Sequence, residues 1–117
     1  MGKVCLLRNN IIIVRLSGDL DHHVTEQIRN EIDESISTYK VFNVAFDFKN
    51  VSFMDSSGIG LMMGRYKKVR SAGGTVYVSN LNCQMQRIFG LFGLESIVKR
   101  NSSIDAIVNE EDTYEQN

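Results

Sequence analysis

Phe53-Met54-Asp55-Ser56-Ser57-Gly58-Ile59-Gly60 is the stretch on which the reading of this 117-residue chain turns. An apolar strand region gives way here to small polar residues, and a helical pattern follows. Asp and Ser are favoured N-cap residues, because a side-chain oxygen can accept from one of the first turn's unpaired backbone N–H groups. The octapeptide therefore predicts a helix start that presents a serine pair. Gly58 and Gly60 leave the first turn bare of bulk, so another molecule could approach Ser56 and Ser57 closely. A helix cap that merely happens to be Ser-rich fits the same eight residues.

Downstream of this start, Ile59, Met62, Met63, Tyr66 and Val69 recur at helical spacing, and Gly73-Gly74 supplies a stop. Gly60 and Gly64, four apart on one helix face, predict close packing there. Upstream, residues 41–48 alternate Phe42, Val44, Phe46 and Phe48 with smaller or polar residues, the period of a strand. Before that, Val24, Ile28, Ile32 and Ile36 mark one face of a helix over residues 24–39. Residues 4–7 and 11–16 are β-rich runs joined at Asn9-Asn10, a pair that tolerates the positive φ of a two-residue hairpin turn. Ile12, Val14 and Leu16 share one side of the second run and Ile11 and Ile13 the other, which predicts an interior strand buried on both faces.

Towards the C-terminus, residues 75–79 read as a strand. A short helix capped by Asn82 carries Met85, Ile88 and Phe89 towards the core and breaks near Gly90 and Gly93. Ile97-Val98 suggests a short edge strand. A last helix starting at Ser102 or Ser103, with Asp105 in its first turn, would bury Ile104, Ile107 and Val108. The order predicts a single small α/β domain over residues 1–108: an N-terminal β-hairpin, then alternating helices and strands in a mixed, mostly parallel sheet with right-handed crossovers. Loops leaving parallel strands share one carboxyl edge. If strands 11–16 and 41–48 are neighbours, the loop of residues 19–23 lies beside the one ending at Asp55-Ser56, and Ser56 faces the carboxylates of Asp19, Asp21 and Asp55.

Composition narrows the function. With 43% hydrophobic and 23% charged residues, the chain can build one core and a polar surface. A net charge of -1 and a pI near 6.1 lack the basic footprint of a nucleic-acid binder. Glu110, Glu111, Asp112 and Glu115 gather in residues 109–117, which read as an acidic, frayed tail. Cys5 and Cys83 have no metal-ligand spacing and read as buried thiols of a reducing compartment, the cytoplasm. The N-terminus shows no signal-peptide pattern, and no apolar run is long enough to span a bilayer.

Several chemistries fit poorly. A nucleophile elbow needs G-x-S-x-G, but Met54 stands at the first glycine position, and no histidine follows Ser56. His22 and His23, in an extended loop, would point apart and could not join Asp19 and Asp21 around a metal. Gly58, Gly60 and Gly64 lack the third glycine of a dinucleotide loop, which would fall at Met63. Arg65, Lys67, Lys68 and Arg70 complement the C-terminal end of their helix dipole. One reading keeps chemistry attached: Ser56 accepts a phosphate from a separate kinase, adding charge beside carboxylates without any change of fold. Only Lys49 among the flanking loops is basic, so no cluster is expected to capture that phosphate.

The elements in this order, with two further stretches, resemble the STAS domain family, and within it the anti-sigma factor antagonists of sporulation. Leu16-Ser17-Gly18-Asp19-Leu20-Asp21-His22-His23 is similar to that group's Gly-Glu-Leu-Asp-His-His loop, with Asp19 in place of glutamate. Val51 to Gly58 is similar to its Val-Ser-Phe-Met-Asp-Ser-Ser-Gly tip, and Gly64-Arg65-Tyr66-Lys67 also matches. The resemblance implies that Ser56 is the phosphoacceptor and that Asp21 and Asp55 are the family's aspartates. It implies two partners: an anti-sigma factor with ATP-dependent serine kinase activity, bound by the unphosphorylated protein, and a metal-dependent serine phosphatase. The protein itself would be a cytoplasmic regulator, monomeric when free, not an enzyme, with no cofactor, metal, nucleic acid or membrane. The expected partner face comprises Asp19, Asp21, Asp55, Ser56, Ser57, Gly58, Ile59 and Gly60, although the spacing of Ile59 also fits the core. Asp21→Lys is expected to weaken partner binding with the melting temperature unchanged. An antagonist of a general stress sigma factor, which typically lacks His-His, and a small-ligand or nucleotide-binding module are the competing readings.

Overall fold

The computed structural model describes residues 4–101 and 103–115. Strands β1 (Cys5–Arg8) and β2 (Ile11–Leu20) form the expected antiparallel hairpin, with Arg8 opposite Ile11 and Asn9 in the left-handed region at φ 53°. β3 (Val44–Met54), β4 (Val76–Ser79) and β5 (Lys99–Asn101) then add in parallel, giving the order β1-β2-β3-β4-β5. Helices α1 (His22–Tyr39), α2 (Ser56–Arg70) and α3 (Cys83–Leu91) connect the parallel strands, and α4 (Ile104–Glu115) follows β5.

The period-two pattern of β2 sorts its side chains between two cores. Ile12, Val14 and Leu16 meet the apolar faces of α1, α2 and α3, where Phe48 and Phe89 pack edge to face with centroids 5.9 Å apart. Ile11 and Ile13 turn to the opposite side and pack with Ala45, Tyr77 and the α4 residues Ile104, Ile107 and Val108. Both faces of the central strands are therefore covered, as their uninterrupted apolar run requires.

Boundaries differ where side chains take over backbone roles. β3 begins at Val44, not at residue 41, because Asn43 works in the loops: its Nδ2 donates to the Asn10 carbonyl and its Oδ1 accepts from Thr75 N–H. β3 then runs on to Met54, paired with residues 17–20 of β2 through two register shifts. Ile97 and Val98 do not form the edge strand, since both amides bond back to Leu94 O at 3.0 and 3.1 Å and close a short 3-10 turn (Leu94–Ser96). The strand is the charged run that follows, a composition that discourages edge-to-edge pairing. α4 passes the expected boundary at Val108, with its backbone helical to Glu115. Ser102 and residues 116–117 lie outside the described residues. Cys5 is half-buried and Cys83 exposed, so the expectation of two buried thiols fails for Cys83.

Candidate functional site

β2 and β3 end level with each other. Leu20 pairs with Met54, and Asp55 N–H donates to Leu20 O at 3.4 Å. The next residue of each chain segment is an aspartate in extended conformation that caps a helix. Asp21 Oδ1 accepts from Val24 N–H at 2.9 Å, and Asp55 Oδ1 accepts from Ser57 N–H at 2.8 Å. Two helix N-termini thus stand side by side at the carboxyl edge, one offering His22-His23 and the other Ser56-Ser57. The neighbourhood of the two loops is as expected, but β2 extends through Asp19 and Leu20, and both histidines belong to the first turn of α1 instead of an extended loop.

The cap at Asp21 changes one expectation. Asp21→Lys removes an acceptor for an orphan N–H, so it lowers stability as well as altering charge.

On the α2 tip the two hydroxyls are not equivalent. Ser56 is exposed, whereas Ser57 is half-buried. Asp19 and Asp21 are exposed, and Asp55 is half-buried. Gly60 is exposed with nothing within 4 Å of where a Cβ would stand. Ile59 is only 6% exposed and packs in the main core, which removes it from the expected partner face. Gly58 is also buried, and a Cβ there would overlap Cγ and Sδ of Met54. Its missing side chain makes room for the protein's own methionine, not for a partner. Gly60 and Gly64 do not provide the expected close packing, because the space beside both is open.

The open space at Gly60 belongs to a groove of about 280 Å³ between α1 and α2, lined by His22, Thr25, Glu26, Arg29, Ser57 and Gly60, with Leu61 completing it. The α1 residues were missed in the sequence. Residues 22, 25, 26 and 29 share a helix face by i, i+3 and i+4 spacing, and that spacing was the available signal. Arg29 thereby brings a cation beyond the expected Lys49 to the groove that Ser57 lines; its Nη2 lies 3.9 Å from Glu26 Oε1.

Deeper along the same helix pair, Arg65 lies outside the last turn of α2 and is not the helix-dipole partner expected. Its side chain is 9% exposed and its Nε lies 3.0 Å from Asp33 Oδ1, with Lys68 Nζ 3.5 Å from the same oxygen. Neither Arg65 Nε nor Asp33 Oδ1 has hydrogen-bond geometry, so the contact is a charge pairing, not a directed bond. Burial pushes the guanidinium pKa below its ordinary value, while Asp33 opposes that shift. This pair ties α2 to α1 behind the two tips. Among the described residues no group of three His, Cys, Asp or Glu is placed to hold a metal ion, and no helix is long and apolar enough to cross a membrane.

Residues 6–109 match the STAS domain family. Over 88 residues the chain is 40% identical to the anti-sigma F factor antagonist of Paenibacillus polymyxa, covering 75% of each protein. The structure of the anti-sigma factor antagonist SpoIIAA in its unphosphorylated form superposes with a TM-score of 0.74 at 30% identity, covering 92% of this chain and 94% of that one. The Bacillus cell fate determinant SpoIIAA in its phosphorylated form gives a TM-score of 0.71 at 33% identity over 87% and 92% of the two chains.

Proposed function

The chain belongs to the STAS domain family, and on that premise we propose that it is an anti-sigma factor antagonist switched by phosphorylation of Ser56. In this reading the unphosphorylated protein binds an anti-sigma factor that is also an ATP-dependent serine kinase, releasing a sporulation sigma factor. Transfer of the ATP γ-phosphoryl group to Ser56 Oγ, with loss of its proton, ends the binding. A metal-dependent serine phosphatase restores the hydroxyl. The protein acts in the cytoplasm as a monomer when free, and it is the substrate of these enzymes, not an enzyme.

The observation that carries the reading is the inequality of the two serines. Ser56 is exposed as the first residue of α2, while Ser57 is half-buried, its backbone held by the Asp55 cap, and lines the α1–α2 groove. A kinase can reach Ser56 without undoing the cap. The 40% identity to an anti-sigma F factor antagonist, together with Asp21-His22-His23, favours sporulation over general stress. Phosphorylation adds about -1.5 to -2 charge where the partner must pack. The helix N-terminus favours that charge and the neighbouring carboxylates oppose it, so neither obliges the backbone to move. The partner face of this reading comprises Asp19, Asp21, Ser56 and Gly60, with Asp55 and Ser57 as its support and the groove residues His22 and Arg29 at its border.

Incubation with a candidate anti-sigma kinase and ATP, followed by mass spectrometric localisation, tests the assignment. Phosphate on Ser56 and loss of kinase binding are expected. Phosphate on Ser57, or binding that survives modification, overturns it.

A further inference from the structure

Away from the serine tip, the sheet changes its covering at one place. β2, β3 and β4 lead into helices packed on one face, whereas β5 leads into α4 on the other. Neighbouring parallel strands whose outgoing connections diverge leave a crevice at their carboxyl ends, and open α/β sheets bind ligands in such crevices. β4 and β5 are that pair. Their ends border an open crevice of about 450 Å³ lined by Asn80, Leu81, Arg100 and Asn101, within the size range of small-molecule sites.

The lining has a definite chemistry. Arg100 is 45% exposed in its side chain and makes one long contact, 3.5 Å from Nη1 to Glu95 Oε1, which leaves most of its five donors for a ligand. Asn80 stands in the left-handed region at φ 63°, and its Nδ2 donates to Asp47 Oδ1 at 2.9 Å. Asp47 is itself buried and also accepts from Lys49 N–H at 3.0 Å. With its amide nitrogen engaged by Asp47, the side chain of Asn80 keeps its carbonyl oxygen as the group to offer, an acceptor. The loop is fixed behind the crevice by Gln86, whose Nε2 donates to Leu81 O at 3.0 Å, and by the Asn82 cap of α3.

We propose that this crevice binds a small hydroxylated oxyanion, a phosphate or carboxylate bearing a nearby hydroxyl. Arg100 holds the oxyanion by charge-assisted hydrogen bonds, and Asn80 Oδ1 accepts from the hydroxyl, with Leu81 as the apolar wall. Asp47 is a positioning residue that sets which end of the Asn80 amide is presented. The site is distinct from the Ser56 tip and carries no part of the phosphorylation cycle.

Amide NMR titration of the full chain with glycerol 3-phosphate, glycerate and inorganic phosphate is the test. Saturable shifts of Asn80, Leu81, Arg100 and Asn101, with residues 56–60 unmoved, are expected for one or both hydroxylated probes. The tighter of the two identifies the oxyanion. Arg100→Gln should weaken both by about tenfold, the loss of one charge-assisted bond, and Arg100→Lys should restore part of it. Asn80→Gly keeps the left-handed backbone and should erase the preference over inorganic phosphate, about fivefold, while the Arg100-dependent phosphate affinity remains. Ser56→Ala should leave every titration unchanged. Shifts that fail to saturate, that survive Arg100→Gln in a folded variant, that show no preference for a hydroxylated probe, or that depend on Ser56 overturn the proposal.

Discussion

The tips of α1 and α2 are built alike and equipped differently. Each follows a parallel strand ending at the same register position, each is capped by an aspartate, and each helix leaves the sheet in the same direction. One then carries two imidazoles and the other two hydroxyls beside a glycine with open space. Because the frame is shared, neither the aspartate nor the helix terminus can explain why one tip would be a switch. The difference lies in the residues after the cap: only the α2 tip offers an exposed hydroxyl.

The sharpest test of that contrast is charge. Ser56→Asp should weaken anti-sigma factor binding about a hundredfold, roughly 3 kcal/mol, while Ser56→Ala binds without being switched off. His22→Asp on the sister tip should cost less than tenfold, both read by titration calorimetry; an equal loss would erase the distinction between the tips. Next comes the frame itself. Asp33→Ala leaves Arg65 buried without its partner, and denaturant unfolding should record a loss of about 2 kcal/mol, reduced from the fully buried case because Asp33 is 31% exposed.

Within the α2 tip, the two glycines should respond with opposite signs. Gly58→Ala overpacks against Met54 and should cost about 1–2 kcal/mol. Gly60→Ala meets open space and should gain about 0.5 kcal/mol from helix propensity, read as a small rise in melting temperature. A last pair of variants tests the likeness of the tips. Asp21→Ala and Asp55→Ala should each cost about 1 kcal/mol, and a twofold disparity in unfolding free energy would show that the caps are not equivalent.

Most of the fold was legible because its signals are local. The alternation of Ile11 to Leu16, the four-residue recurrence of Val24 to Ile36 and the caps at Asp55 and Asn82 each specify an element without reference to the rest. The misreadings arose where a distant partner decides. Asn43 leaves the strand pattern because its amide bridges Asn10 and Thr75, and Ile97-Val98 is diverted by Leu94 O. At the site, the neighbourhood of the two loops and the exposed helix-tip position of Ser56 were legible from the motif, while the groove was not, since Arg29 and Ser57 line one space only when two helices lie together. Gly58 was misread for the same reason, since the sequence marks a bare turn but not which side of it faces Met54, whereas the helical spacing of Ile59 already allowed the core position it takes.

The contact between Gly58 and Met54 also constrains how this tip can vary by descent. Four positions apart and on different elements, the two residues share one volume, since a single added methyl at 58 would claim space that the thioether occupies. Substitutions at these sites are then not independent events. A lineage that acquires a side chain at 58 must first, or soon after, trade Met54 for something shorter, and Met54→Ala should rescue Gly58→Ala where it fails to rescue other tip variants. The glycine beside the proposed switch is thus inherited as half of a pair whose other half, Met54, is buried in the core.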